Sequence, residues 1–389
     1  TRLPFALLRL VAACPCCLQT HPSASPPPGF RDVHLQALLG FGFLVAFLSR
    51  YGPGSVAISI LVVAFAIQWA VLLQGFLHQF RNGKIHMGVQ SMVRADFCAA
   101  ATLISTGAVV GRVNPAQMLL LALLGVTLFT LNEHILLATR KGDSGGSVTV
   151  HTFGAYFGLM VSRILPQLHM DQREEHIQTC LFPFPTGTIC LWIFWPSFTS
   201  TTTAQGSAEP WAVLNTYFSL AASTMATFIL SPILCEESTP RMVGPLLIQD
   251  AAVAAVAVMG MAGEMLVTPF GALIAGFLAG LIPPLGFRFL TPVLCSRLKI
   301  QDTCGVHNVH GLPGMLGAFL GTRTGTAQAL HQLSALPLTL LLATLGGCLT
   351  GELCLGWDGA EGAEVGAAPG AGGTGPGAVP RLGAARRCR

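Results

Sequence analysis

Apolar runs long enough to cross a bilayer recur along almost the whole chain. A helix needs about 20 consecutive apolar residues to span the hydrocarbon core, and eleven such runs can be placed, with a weaker twelfth near the N-terminus. Charged residues make up only 10% of the 389 residues, against roughly 25% in a soluble protein. So few charges cannot cover a soluble globule. The sequence therefore predicts an all-α, polytopic membrane helix bundle, and it excludes a disordered, coiled-coil or nucleic-acid-binding chain.

Composition divides the chain into three parts. Residues 1–29 pass from a short apolar stretch into the segment SASPPP, and residues 357–389 form a Gly/Ala/Pro tract without apolar periodicity, for which we predict disorder. Most cysteines lie inside apolar runs, where Cys behaves as a small hydrophobe, so no disulfide set is expected. The membrane domain, residues 30–356, holds the predicted spans at 33–49, 56–80, 87–111, 116–138, 147–165, 177–198, 212–234, 245–267, 270–290, 305–321 and 333–357.

One pattern of ionisable residues occurs twice inside these runs. DSGGSVTVH begins at Asp143 and DTCGVHNVH begins at Asp302, and both read D-x-x-G-x-x-x-V-H. The pattern ends at His151 in the first copy and at His310 in the second. Ionisable side chains at membrane depth are costly and point to function. The repeated spacing therefore marks these four residues as candidate site residues.

The two copies are expected to face opposite sides of the membrane. Five spans lie from the first copy to the second, and an odd number of crossings reverses the direction of the helix. This is the signature of an inverted repeat, whose substrate site lies at the interface between the repeats. Each Asp can cap the N-terminus of its helix, and each His lies about 12 Å further in. We therefore expect the helices of His151 and His310 to enter from opposite leaflets and to bring the two imidazoles together.

Alternative interpretations of the same residues remain open at this stage. Each histidine could be a structural residue packed between helices, and each aspartate could serve only as a helix cap. Cys304 and His307, with His310, could form a metal site and make the chain an intramembrane metal-dependent enzyme, although the first copy has no matching cluster. The chain contains no nucleophile elbow, Walker loop or dinucleotide-binding fingerprint.

Five segments of the chain are distinctive. They are HTFGAYFGL, LWIFWPSF, LNTYFSLAAST, PFGALIAGFLAG and IQDTCGVHNVHGLPG. These highly specific motifs resemble those of the ammonium transporter and Rh glycoprotein family. The resemblance extends from about residue 30 to residue 351, so that residues 1–29 are unmatched.

The resemblance implies an ammonia channel rather than an enzyme, with no cofactor. It implies a homotrimer in the plasma membrane, basolateral in epithelial cells, in which each subunit surrounds a narrow apolar pore. Ammonium would be gathered outside and lose its proton, and ammonia would cross alone, with methylammonium and carbon dioxide as further candidate substrates. A non-transporting, structural Rh-like membrane protein is the alternative.

The family pattern also assigns roles to individual residues. The paired pore histidines fall on His151 and His310, and the two stacked phenylalanines at the outer mouth fall on Phe97 and Phe198. Ordinary aromatic packing is the alternative for the phenylalanines, because the chain has 23 of them. The acidic residues of the pore repeat fall on Asp143 and Asp302.

Overall fold

The structure, a computed structural model, forms a bundle of helices with one small sheet. It describes residues 18–20, 29–42, 52–139, 143, 145–167, 183–201, 203, 208–234, 245–263, 268–322 and 333–366. Within these residues eleven helices are present, and each of the eleven predicted spans overlaps one of them. The predicted helical membrane bundle is therefore confirmed. The weak twelfth run at the N-terminus lies almost entirely outside the described residues.

The helices are numbered in chain order. Four of them contain π-helical turns, in which the hydrogen bonds skip one residue more than in an α-helix. They are α1 (Phe30–Leu35 continued by the π-helical Gln36–Phe41), α2 (Gly52–His78), α3 (Val89–Gly107), α4 (Pro115–Ala138), α5 (π-helical Ser147–Thr152 continued by Phe153–Ile164), α6 (Pro183–Ser200), α7 (Ala208–Leu234), α8 (Pro245–Ala262), α9 (Pro269–Leu285, π-helical Gly286–Leu290 and Thr291–Ser296), α10 (π-helical His307–Gly311 continued by Leu312–Leu320) and α11 (Ala335–Gly366).

Five helices in the described part of the chain are long and apolar enough to cross a membrane. They cover Val56–His78, Pro115–Ala138, Glu209–Leu234, Pro269–Ser296 and Ala335–Gly356. These outer helices expose many large apolar side chains, as lipid contact requires. In contrast, residues 251–262 of α8 are all buried. Helix α8 is therefore the centre of the bundle.

Glycines spaced four residues apart allow neighbouring helices to touch. A Cβ at Gly276 or Gly280 of α9 would collide with the backbone of Ser219 or Ser223 of α7. The same small-x-x-x-small spacing brings α5 against α3 and α11 against α5. Close backbone approach replaces the hydrophobic driving force that lipid does not supply. The Gly/Ala content of α9 therefore gives the tight packing expected from the sequence.

We expect Gly280→Leu to prevent correct packing of α7 and α9. The new side chain would meet a backbone carbonyl, which cannot rotate away as a side chain could, so the cost should be at the upper end of the roughly 1–3 kcal/mol typical of overpacking. Thermal unfolding of the detergent-solubilised protein should show a large fall in Tm or a loss of folded material. Gly356→Leu is the matched control, because a Cβ there meets nothing within 4 Å. Equal stability of the two variants would contradict the close contact.

Three differences from the sequence prediction appear outside the pore. In a small three-stranded sheet, β3 (Lys84–Met87) pairs in parallel with β1 (Leu18–Thr20) and antiparallel with β2 (Phe80–Arg81). The chain is therefore not purely helical. The expectation of no disulfide is wrong at Cys295, which is disulfide-bonded. Helix α11 continues to Gly366, so the start of the predicted disordered tail is helical, while 367–389 lie outside the described residues.

The loops at one end of the bundle are held together by Arg112. Its guanidinium donates to the Ser162 hydroxyl, to the Ser162 carbonyl at 3.1 Å and to the Gln301 carbonyl at 3.2 Å. Burial lowers the pKa of Arg112 to about 10, so the side chain stays charged at neutral pH. These bonds fix the end of α5 beside the segment that leads into α10, and so they hold the two halves of the repeat in register.

Candidate pore

The two repeated histidines lie in contact at the centre of the bundle. His151 of α5 and His310 of α10 are both buried, with relative exposures of 0% and 3%. Their Nδ1 atoms are 2.9 Å apart, and their ring centroids are separated by 5.2 Å with the ring planes inclined by only 16°. A bond between two Nδ1 atoms needs one donor and one acceptor, so the two rings cannot both be protonated at Nδ1.

This hydrogen bond fixes what the other ring nitrogens can do. In a neutral imidazole one nitrogen carries a hydrogen and the other accepts. The ring that donates through Nδ1 therefore presents an accepting Nε2, and its partner presents an Nε2–H donor. The Nε2 atom of His151 is buried and has no partner within the described residues. The pair can thus offer both a donor and an acceptor to a small polar molecule without introducing a charge.

The equal Asp-to-His spacing of the two copies has a structural cause. Asp143 accepts hydrogen bonds from the backbone N–H groups five and six residues further on, at 3.0 and 2.6 Å. Asp302 accepts from those four and five residues further on, at 2.9 and 2.8 Å. The intervening Gly146 and Gly305 have φ of 82° and 73°, a left-handed conformation that glycine adopts at little cost. Both aspartates therefore cap the turns that carry the histidines.

The two copies enter the bundle from opposite ends. Gly146, which precedes α5, lies beside Phe97 in the middle of α3, since a Cβ there would be 3.7 Å from the Phe97 ring. At the C-terminal end of α3, the N–H of Thr303, which precedes α10, donates to the Ala108 carbonyl at 3.3 Å. These two points on α3 are about 16 Å apart along the helix. The helices α5 and α10 therefore run antiparallel, as the inverted repeat requires.

The two candidate gate phenylalanines stack on each other. The ring centroids of Phe97 on α3 and Phe198 on α6 are 4.3 Å apart, and the planes differ by 14°. Both rings are buried. Their separation of 4.3 Å is slightly shorter than the range of about 4.5–7 Å that is usual for aromatic contacts. Their role as a gate stays a prediction, but the geometry leaves no open path between them.

Two further aromatic residues that the sequence analysis did not select lie between the phenylalanine pair and the histidine pair. The Trp195 ring is 5.2 Å from Phe198 and 6.1 Å from His151, and the Phe41 ring is 6.2 Å from Phe198 and 6.5 Å from His310. Trp195 precedes Phe198 by about one helical turn, so its position in the LWIFWPSF segment could have indicated that it lies near the path. No comparable sequence pattern indicated Phe41.

A narrow cavity of about 40 Å³ continues from His310 away from the phenylalanine pair. A water-sized molecule needs about 10–15 Å³ of such space, so the cavity has room for a few molecules of that size. Its lining is mainly apolar and includes the polar side chains of Ser59, Thr106, Gln249, Asp250 and His310. The lining residues are Phe41, Ser59, Leu103, Ile104, Thr106, Gly107, Gln249, Asp250, Val253, Cys304, Val306, Val309 and His310.

The remaining candidates take structural positions. His307 packs edge-on against Tyr156, with centroids 5.8 Å apart. Among the described residues no group of three His, Cys, Asp or Glu side chains is arranged to hold a metal ion, which argues against the metal site considered for Cys304, His307 and His310. Glu133, a partly buried carboxylate of α4, accepts a hydrogen bond from Gln74 at 2.9 Å.

Comparison with known proteins matches this arrangement to one family. The model of the Ammonium Transporter Family matches residues 28–348. The chain belongs to the ammonium transporter family. It is 50% identical to the ammonium transporter Rh type B of Oryctolagus cuniculus over 357 residues, which cover 84% of this chain and 77% of the relative. The human Rh type B transporter is also 50% identical, over 359 residues and the same shares of both chains.

Solved structures show the same fold. Rh50 of Nitrosomonas europaea, described as one of the Rhesus family of channels, is 35% identical and superposes with a TM-score of 0.75 over 84% of this chain and 86% of its own. A sensor Amt protein shares only 16% identity but reaches a TM-score of 0.69, over 85% of this chain and 91% of its own. The second comparison bears on the fold alone. This chain is therefore a multi-pass membrane protein of a transporter family rather than of an enzyme family.

Proposed function

We propose that this protein conducts ammonia across a membrane through the path that runs from Phe97 and Phe198 to the His151–His310 pair and the cavity beyond it. The observation that carries the proposal is the hydrogen-bonded histidine pair, buried between an aromatic closure and a narrow, mainly apolar cavity. Membership of the ammonium transporter family supports it. No observation favours the non-transporting alternative, and the contact between the two histidines speaks against it.

The chemistry of the path selects a neutral molecule. Moving an isolated ion into a low-dielectric environment costs far more than moving a neutral polar molecule. Aromatic rings surround the histidine pair on the side of Phe198, so ammonium would lose its hydration there without finding a counter-charge. Ammonia, which both donates and accepts hydrogen bonds, can use the two Nε2 atoms in turn. The proton therefore has to leave before the molecule reaches Phe97 and Phe198.

The proposal is tested by measuring ammonia entry and electrical current on the same proteoliposomes. Ammonium added outside the vesicles should raise the internal pH several-fold faster than in protein-free vesicles, because the ammonia that enters takes up a proton inside. No steady current should accompany it. A current that matches the flux would overturn the neutral-molecule mechanism, and rates equal to those of empty vesicles would overturn the function.

Phe97→Ala should weaken discrimination by size at the phenylalanine pair. Removal of one ring of the stacked pair leaves a gap where the centroids now lie 4.3 Å apart. We expect the ratio of methylammonium to ammonia flux to rise at least about threefold, a difference of roughly 0.7 kcal/mol between the two barriers. Phe319→Ala, which removes an exposed ring on α10, is the matched control. An unchanged ratio would leave Phe97 as ordinary aromatic packing.

The family resemblance supports finer statements that are part of the proposal. We place the protein as a homotrimer in the plasma membrane, basolateral in epithelial cells, with methylammonium and carbon dioxide as further substrates. The exposed apolar helix faces suit contact both with lipid and with a second subunit. Mass measurement of the detergent-solubilised protein tests the trimer, and isotope exchange of carbon dioxide across proteoliposomes tests the last substrate.

A further inference from the structure

A histidine and an aspartate form a pair beside the phenylalanine closure. The Nδ1 atom of His34 in α1 lies 3.0 and 3.2 Å from the two carboxylate oxygens of Asp96. Asp96 directly precedes Phe97 on α3. The Asp96 side chain is 1% exposed, whereas that of His34 is 41% exposed. The pair therefore connects a buried carboxylate next to the closure with an imidazole that reaches solvent.

A second contact places the first turn of α1 at the level of this closure. The Ser197 hydroxyl donates to Asp32 at 2.9 Å, and Ser197 directly precedes Phe198 on α6. Each phenylalanine is thus preceded by a residue bonded to α1. From this turn α1 continues to Phe41, which packs against Phe198 and His310 deeper in the path. His34 is therefore at the solvent side of the closed path.

The Asp96 contact determines which nitrogen of His34 is basic. A carboxylate only accepts hydrogen bonds, so the neutral imidazole must carry its hydrogen on Nδ1 to make this contact. The Nε2 atom of His34 then carries no hydrogen, and its lone pair can accept a proton. This is the arrangement by which a carboxylate orients a histidine as a general base and stabilises the imidazolium that forms.

We propose that His34 is the base that removes the proton from ammonium before ammonia enters between Phe97 and Phe198. The inference rests on the proposed function. One N–H bond of ammonium breaks and its electron pair stays on the nitrogen, which leaves as ammonia. The proton forms a new bond to Nε2 of His34, and the imidazolium is held beside the Asp96 carboxylate. Because His34 is partly exposed, the proton then passes to external water.

Other charged groups around His34 are few. On its own helix Asp32 is 3.8 Å from Arg31, whose side chain is 87% exposed. On α3, Arg94 interacts with Glu133 and His78. The helix α6 carries no charged residue, and His78 is the only titratable side chain of α2. Asp96 is thus the one charged group that His34 touches directly among the described residues.

The test is the pH dependence of ammonia entry at constant total ammonium. Well below the pKa of ammonium, free ammonia falls about tenfold for each unit of pH. If His34 removes the proton at the entrance of the path, ammonium itself is a source of the ammonia that enters. The rate of ammonia entry should then fall less steeply as the pH is lowered. We expect His34→Gln to restore the tenfold dependence, so that its flux is about tenfold below the unmodified protein near pH 6 and within about twofold near pH 8.5. Asp96→Asn should shift the profile in the same direction.

His78→Gln is the control, because His78 is also a histidine near this end of the bundle and packs against His134, with centroids 4.9 Å apart. It should keep the profile of the unmodified protein. An unchanged profile in His34→Gln would overturn the assignment of the base, and so would an equal loss at every pH, which would indicate a structural role. Failure of the proposed function is distinguishable, since the unmodified protein would then move no ammonia at any pH.

Discussion

His151→Ala and His310→Ala should each reduce ammonia flux at least about tenfold, a rise in the barrier of roughly 1.4 kcal/mol. Each change removes one ring of the pair whose Nδ1 atoms lie 2.9 Å apart. The remaining imidazole would keep an unpaired buried nitrogen, at a cost of about 1–3 kcal/mol, and ammonia would lose one of its two hydrogen-bond partners. Flux into proteoliposomes, normalised to the amount of folded protein, measures the effect.

Two comparisons separate chemistry from packing at this pair. His151→Gln keeps a donor and an acceptor at the same place and should retain part of the flux. His86→Ala, in β3 and only partly buried, should leave the flux within about twofold of the unmodified protein. Full activity in both alanine variants of the pair would show that the two histidines are structural residues packed between helices.

Asp143→Ala should both destabilise the protein and abolish most of the flux. Its carboxylate accepts from two backbone N–H groups and from the Thr149 hydroxyl at 2.8 Å. Alanine would leave these buried donors without partners, which costs about 1–3 kcal/mol, in addition to the loss of a helix cap. The turn that carries His151 would no longer be held in place. Asp302→Ala should have a similar effect on the turn of His310.

Thermal unfolding in detergent and flux are measured on the same preparations. Asp143→Asn keeps an oxygen able to accept the backbone bonds and should preserve most of the stability. Glu352→Ala, at an exposed glutamate of α11, controls for the loss of a carboxylate. If Asp143→Ala unfolds at the temperature of the unmodified protein, the carboxylate is not the cap that the hydrogen bonds indicate.

The class of fold could be predicted because it follows from quantities that are local in sequence. The length of an apolar run and the scarcity of charge decide whether a segment can cross a bilayer, and they require no knowledge of its neighbours. The repeat at Asp143 and Asp302 could also be interpreted locally, since a cap and its helix lie within a few residues of each other. The direction of the two copies followed from counting the spans between them.

Other features depend on how helices are rotated and placed against each other. Phe41 and Trp195 contribute to the path because α1 and α6 pack against the histidine pair, and apolar periodicity does not distinguish a ring that faces a path from one that faces a neighbour. The pattern of apolar residues in the sequence does not indicate the π-helical turn Ser147–Thr152. This turn changes the direction in which its own side chains, including that of His151, and the side chains after it point.

The sequence by itself determined that the chain is a helical membrane protein, and its motifs determined the family resemblance and the six candidate residues, His151, His310, Phe97, Phe198, Asp143 and Asp302. Only the tertiary structure decided that His34 meets Asp96 and that Phe41 and Trp195 lie between the phenylalanine pair and the histidine pair. Each of these contacts joins residues on different helices, far apart in the chain. Such contacts depend on the tilt, rotation and depth of two helices together, and the sequence of either helix alone does not specify these quantities.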